Sequence, residues 1–207
     1  MDLLTTGPDR ARATLLLAHG AGAAMDSDWM NRMADGLGEA GLRVIRFEFA
    51  YMAARRQGER RPPPKAERVM GEYRDAVAAA AVEGPLFIGG KSMGGRVASM
   101  VAGELFAAGK IAGLVCLGYP FHPPGKPDEL RTAHLQKLTV PALICQGTRD
   151  PFGTRDEVPG YALSPSIELF WLEDGDHDLK PRKAISGRSF ADNLGAAIAR
   201  IAQFTGA

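Results

Sequence analysis

The chain has 207 residues, 45% of them hydrophobic and 24% charged, and its formal net charge is only +1. That length suffices for one domain, residues 1–207, with a sizeable core, and so small a charge supplies no global field to draw in nucleic acid or an anionic membrane. No apolar run approaches the length of a bilayer span.

The first strong strand signal is Thr14-Leu15-Leu16-Leu17-Ala18, which runs into the small-residue loop His19-Gly20-Ala21-Gly22-Ala23. A helix is expected near 27–40 and a second strand over 43–48. Residues 50–65 read as an irregular basic loop, carrying Arg55, Arg56, Arg60 and Arg61 ahead of Pro62-Pro63-Pro64. Such a run is either a solvated charged surface or an attractor for an acidic substrate or partner. A helix near 66–82 leads to the strand 86–89, and Gly89-Gly90-Lys91-Ser92-Met93-Gly94-Gly95 follows directly, ahead of helix-compatible residues 92–108.

Beyond it come a strand at 112–118, the proline-rich loop Gly118-Tyr119-Pro120-Phe121-His122-Pro123-Pro124-Gly125-Lys126-Pro127, a helix near 126–137 and strands at 140–146 and 167–172. The last helix is marked by Phe190, Leu194, Ile198, Ile201 and Phe204 at helical spacing. Its apolar stripe is core packing. The strands are continuous apolar runs rather than alternating ones, as suits a sheet covered on both faces. Alternation of strand and helix predicts an α/β architecture: a mostly parallel sheet of about six strands with helices on both faces.

Within that frame the glycine-flanked Ser92 is a nucleophile elbow, Gly-x-Ser-x-Gly between a strand and a helix. A serine at so tight a turn is held in a strained conformation, so residues −2 and +2 must lack side chains. Serine is a weak nucleophile at its free pKa and needs an imidazole base, itself oriented by an acid. Asp150 and His177 each lie just past a predicted strand, in the order Ser, Asp, His of the α/β-hydrolases. Of the four histidines, only His177 occupies the last strand-to-helix loop; His19 reads as a residue that holds its own loop. Asp174, Asp176 and Asp178 crowd His177 and are alternatives to Asp150, but neighbours in one turn rarely aim at a single point.

The same aspartates mimic the start of a calcium loop. Leu179 then stands where that loop needs glycine, and Ile185 where it needs glutamate. Gly90-Lys91-Ser92 likewise fails as a phosphate loop, because Pro85 stands where the first glycine belongs. No metal or cofactor is expected. Oxyanion donors are expected from the backbone N–H of Met93 and from Ala21, with Gly22 the neighbouring possibility. The loop at 118–127 is too short for a lid and predicts an accessible pocket, with Tyr119 and Phe121 as tentative apolar walls. Residues 1–8 carry neither a basic start nor a long apolar run. Cys116 and Cys145 fall in predicted strands, as reduced core thiols do. A cytoplasmic location is the expectation.

Five segments together resemble one family: 17–23, 90–96, 118–127, 146–150 and 175–177. It is the small lidless α/β-hydrolase family related to dienelactone hydrolases, which includes a testis-expressed protein and a subunit of a chromatin acetyltransferase complex. The Tyr-Pro-Phe-His-Pro-Pro-Gly-Lys-Pro run is its most specific mark. The resemblance implies a lidless hydrolase fold, a triad at Ser92, Asp150 and His177, and an oxyanion loop at 20–22. Dienelactone hydrolases proper use cysteine where this chain has serine. Together the residues predict a metal-free serine hydrolase acting on a small-molecule ester or thioester. The alternative is a non-catalytic interaction module that keeps the fold.

Overall fold

The computed structural model describes residues 1–59 and 61–207; Arg60, one of the four arginines of the basic segment, lies outside them. Among the described residues, seven strands form one sheet in the order β1-β3-β2-β4-β5-β6-β7. They are β1 (Leu3–Thr6), β2 (Thr14–Ala18), β3 (Arg43–Phe47), β4 (Leu86–Lys91), β5 (Gly113–Leu117), β6 (Ala142–Gly147) and β7 (Ile167–Leu172). All neighbours pair in parallel except β1, which runs antiparallel to β3.

The alternation of side chains along each strand sorts the core into two layers. Leu16, Phe47, Ile88, Leu114 and Ile144 pack on one face with Tyr73, Val97 and Val101 of α3 (Met70–Ala80) and α4 (Met93–Ala107). Leu15, Leu17, Val44, Val115 and Leu143 pack on the other with Met33, Leu37, Leu194 and Ile201 of α1 (Asp28–Glu39) and the C-terminal helix Phe190–Thr205. That last helix opens on a reciprocal capping box between Ser189 and Asp192.

The sheet has one strand more than the sequence predicts. β1 is a four-residue edge strand, mostly half-buried, so it offers no apolar run to detect. It docks through the β3 ladder and through Arg46, whose Nη2 donates to the Thr6 hydroxyl at 3.0 Å. The basic segment is also more ordered than a loop: Ala50–Arg56 forms α2, which buries Tyr51 and Met52 and turns its arginines outward. With Lys183–Ser186 as α5, the C-terminal helix is α6.

The helix expected near 126–137 does not form. That stretch is a series of turns ending in a single 3₁₀ turn, Leu135–Lys137. Pro123, Pro124 and Pro127 deprive its start of donors and restrict the residues before them.

β2 pairs with β3 on one side and β4 on the other, so the connections diverge at its C-terminal end. Open α/β sheets form their crevices at such a point. Ala18 and Gly90 sit side by side there, which brings the loop after β2 against the turn after β4. Among the described residues no helix is long and apolar enough to cross a membrane.

Candidate active site

Ser92 sits between β4 and α4 with φ +51° and ψ −116°, a left-handed conformation that is strained for a residue with a side chain. Its N–H donates to the Leu117 carbonyl at 2.9 Å, and its carbonyl accepts from Arg96 N–H at 3.0 Å, so both sides of the turn are tied down. The flanking glycines have a steric reason. A Cβ on Gly90 would stand 2.5 Å from the Gly94 carbonyl carbon, and one on Gly94 would stand 2.5 Å from the His19 carbonyl oxygen.

The loops after β6 and β7 bring Asp150 and His177 to this turn. His177 Nε2 lies 2.8 Å from Ser92 Oγ, and His177 Nδ1 lies 2.9 and 3.1 Å from the two Asp150 oxygens. An ionised carboxylate only accepts, so Nδ1 carries the proton and Nε2 is left to accept from the serine hydroxyl. Asp150 is fully buried, and it also accepts from Phe152 N–H at 2.9 Å and Gln146 Nε2 at 3.0 Å. Gln146, the penultimate residue of β6, thus orients this carboxylate, while its Oε1 accepts from Tyr119 N–H at 2.7 Å. A glutamine at a strand end carries no distinguishing mark in sequence.

The competing aspartates are engaged elsewhere. Asp174 is paired with Arg182, and Asp176 Oδ1 accepts from the N–H groups of Asp178 and Lys180, both at 2.9 Å. Asp178 Oδ1 stands 3.5 Å from Lys91 Nζ, so all three aspartates have partners other than His177, and the turn they form presents that histidine. Among the described residues no group of three His, Cys, Asp or Glu side chains is placed to hold a metal ion.

Lys91, next to the serine, has a role that the sequence did not signal. Its Nζ donates to the His177 carbonyl at 2.7 Å, stands 3.5 Å from Asp178 Oδ1 and lies over the Trp29 ring, 5.6 Å from its centre. Burial pushes its ammonium pKa down, and the neighbouring Asp178 and Asp150 carboxylates oppose the shift. On the other side of His177, the Phe152 ring lies 4.2 Å from the imidazole centre.

His19 holds the loop after β2, as expected. Its Nδ1 bonds the Gly20 carbonyl at 2.6 Å and its Nε2 accepts from Phe49 N–H at 3.2 Å, while burial lowers its pKa. The Tyr51 hydroxyl of α2 donates to the Ala21 carbonyl at 3.1 Å. Ala21 and Gly22 then line the cleft beside Ser92. Met93 lines it from the first turn of α4, where N–H groups have no partner within the helix.

The cleft has two lobes that meet at Ser92, Ala21 and Phe152. One, of about 310 Å³, is lined by Trp29, Met30, Gly22, Lys91 and His177. The other, of about 420 Å³, is lined by Lys65, Glu67, Met93, Arg96, Pro120 and Arg131. Tyr119 and Phe121 line neither, contrary to expectation. Both are fully buried, because Gln146 pulls the Tyr119 backbone inward and the Tyr119 hydroxyl enters a network with Ser99, His134 and the Arg131 carbonyl. Trp29 and Phe152 are the apolar walls instead. Of the basic segment, Arg56 is neutralised by Glu48 and Asp26 at 2.7 and 2.8 Å, and Arg61 by Glu59 at 2.6 Å.

Residues 11–206 match the family model described as "Alpha/beta hydrolase domain". Among solved structures, the chain is similar to a lidless α/β serine hydrolase from Xanthomonas campestris, with 18% identity and a TM-score of 0.70 over 100% of this chain and 90% of that one. An α/β serine hydrolase homologue from Coxiella burnetii matches with the same identity and score over 96% and 90% of the two chains. A dienelactone hydrolase from Anabaena variabilis matches at 20% identity and a TM-score of 0.68 over 98% and 89%. At these identities the likeness is one of fold.

Proposed function

The chain belongs to the α/β hydrolase domain family, and from that premise we propose that it is a serine hydrolase that cleaves a small ester or thioester through an acyl-enzyme on Ser92. The observation that carries the proposal is the unbroken relay from Ser92 Oγ through His177 to the buried Asp150, with its two links of 2.8 and 2.9 Å.

As Ser92 Oγ attacks the substrate carbonyl, His177 Nε2 takes its proton, and Asp150 stabilises the resulting imidazolium without itself being protonated. The carbonyl oxygen becomes an oxyanion and accepts from the N–H groups of Met93 and Ala21, with the positive end of α4 behind it. Collapse breaks the C–O or C–S bond, and His177 returns its proton to the leaving atom. A water, deprotonated by the same imidazole, then attacks the acyl-enzyme and frees the acid and Ser92. The base must be neutral and its tautomer fixed, and the Asp150 contact to Nδ1 supplies that condition.

The test is fluorophosphonate labelling and p-nitrophenyl butyrate hydrolysis by wild type and Ser92→Ala. Stoichiometric labelling and turnover, both abolished by the substitution, are expected. A folded wild type that neither labels nor turns over would leave the interaction module as the surviving reading.

A further inference from the structure

We propose that the second lobe of the cleft is an anion subsite formed by Arg96 and Arg131, and that the substrate is a small ester or thioester of a dicarboxylic acid whose free carboxylate lies between the two guanidinium groups. The inference rests on the serine-hydrolase reading and adds the substrate class to it.

The direction follows from His177. The leaving atom must receive the proton held at Nε2, so the leaving group departs on the side that His177 lines. That side is the first lobe, with Trp29 and Met30. The acyl chain, attached to the same carbonyl carbon, extends the opposite way and enters the second lobe, which His177 does not line.

That lobe holds more positive charge than its own carboxylate balances. Among the described residues, Lys65, Arg96 and Arg131 line it against Glu67 alone. Glu67 engages Arg96 through Nη2 at 2.7 Å, while Arg96 Nε is buried with no hydrogen-bond partner among the described residues. Arg131 has no ion pair among the described residues, yet it is partly buried and is repelled by Arg96; burial and that repulsion both lower its pKa. Its backbone is fixed from both sides: Arg131 N–H donates to Phe121 O at 2.7 Å, and the Tyr119 hydroxyl donates to Arg131 O at 3.2 Å. Two guanidinium groups that line one lobe beside a nucleophile are relieved by an anion, and their planar forks suit a carboxylate.

In the reaction, the ester bond to the apolar alcohol or thiol breaks as the Ser92 acyl bond forms, and water then releases the dicarboxylate. One proton passes through His177 in each half, so the net change is addition of one water.

The decisive comparison is kcat/KM for mono-p-nitrophenyl glutarate against p-nitrophenyl valerate, which carries a methyl group in place of the carboxylate. Rates measured with Ser92→Ala are subtracted as background. Wild type should favour the glutarate ester by about tenfold or more, as a charge-assisted pair implies. Arg131→Met should collapse the ratio and Arg131→Lys should restore part of it, with circular dichroism confirming that each variant is folded. The ratio cancels any shared loss of active enzyme.

No preference in wild type, or a ratio unchanged by Arg131→Met, overturns the subsite. A preference for 4-acetoxybenzoate over phenyl acetate, without one for the glutarate ester, overturns its placement on the acyl side. If no ester is turned over and Ser92 does not label, the hydrolase reading fails. Calorimetry with glutarate then decides the subsite by itself: binding lost in Arg131→Met supports it, and no binding to wild type overturns it.

Discussion

Gly147 and Gly175 stand back to back where the loops carrying Asp150 and His177 leave the sheet. A Cβ on Gly147 would collide with the Gly175 carbonyl oxygen and stand 2.5 Å from Asp176 O. The 2.9 Å contact between Asp150 and His177 depends on this close approach of two backbones. Gly147→Ala should therefore spread the two loops. We expect a loss of about 1–3 kcal/mol, the usual range for overpacking, and at least a tenfold fall in kcat at temperatures where the variant is folded. Thermal unfolding together with ester hydrolysis checks both.

Asp150→Asn tests the tautomer argument. An amide can turn its NH₂ toward Nδ1, which would leave the proton on Nε2, the atom that must accept from Ser92. By analogy with other triads kcat should fall about 10⁴-fold, and fluorophosphonate labelling should slow in parallel.

Lys91→Met removes the donor to the His177 carbonyl together with the buried charge. Stability should change little, because methionine fills the stem's space and Asp178, half exposed, stays hydrated. The positional effect should appear in kcat, down about tenfold, as when an outer-shell support of a site is lost, with KM for a neutral ester moving less. A change in KM alone would rule out the positioning role.

The pH dependence of stability should carry a histidine signature. Burial and the Arg96 cation lower the His134 pKa from its ordinary 6.5 to about 4, and burial lowers that of His19. Below pH 6.5 the unfolded chain takes up protons that the folded one refuses, so the folded state loses stability. The expected Tm is flat from about pH 6.5 to about 8 and falls between about 6.5 and 4. His134→Gln, whose amide can still bond Ser99, should flatten part of that slope. An identical slope in the variant would show that His134 is not neutral in the fold.

Much of the architecture was legible because its signals are local. Continuous apolar runs gave six of the seven strands, and a serine between glycines, directly after a strand, marked the elbow. Asp150 and His177 could be picked out because each follows an apolar run, and a parallel sheet delivers such loops to one edge. Local cues fail where an element owes its form to its neighbours. The edge strand β1 is defined by the β3 ladder, α2 hid its buried Tyr51 and Met52 among arginines, and the stretch after Pro123 is held by separate contacts of its turns. Which way Tyr119 faces was decided by Gln146, 27 residues away. The pairing of Lys91 with His177 and the lining of one lobe by both Arg96 and Arg131 are also long-range facts. A side chain's partner is chosen by packing and by the cost of burying a polar group unsatisfied. The backbone's periodicity, written in the sequence itself, says only which way the chain runs.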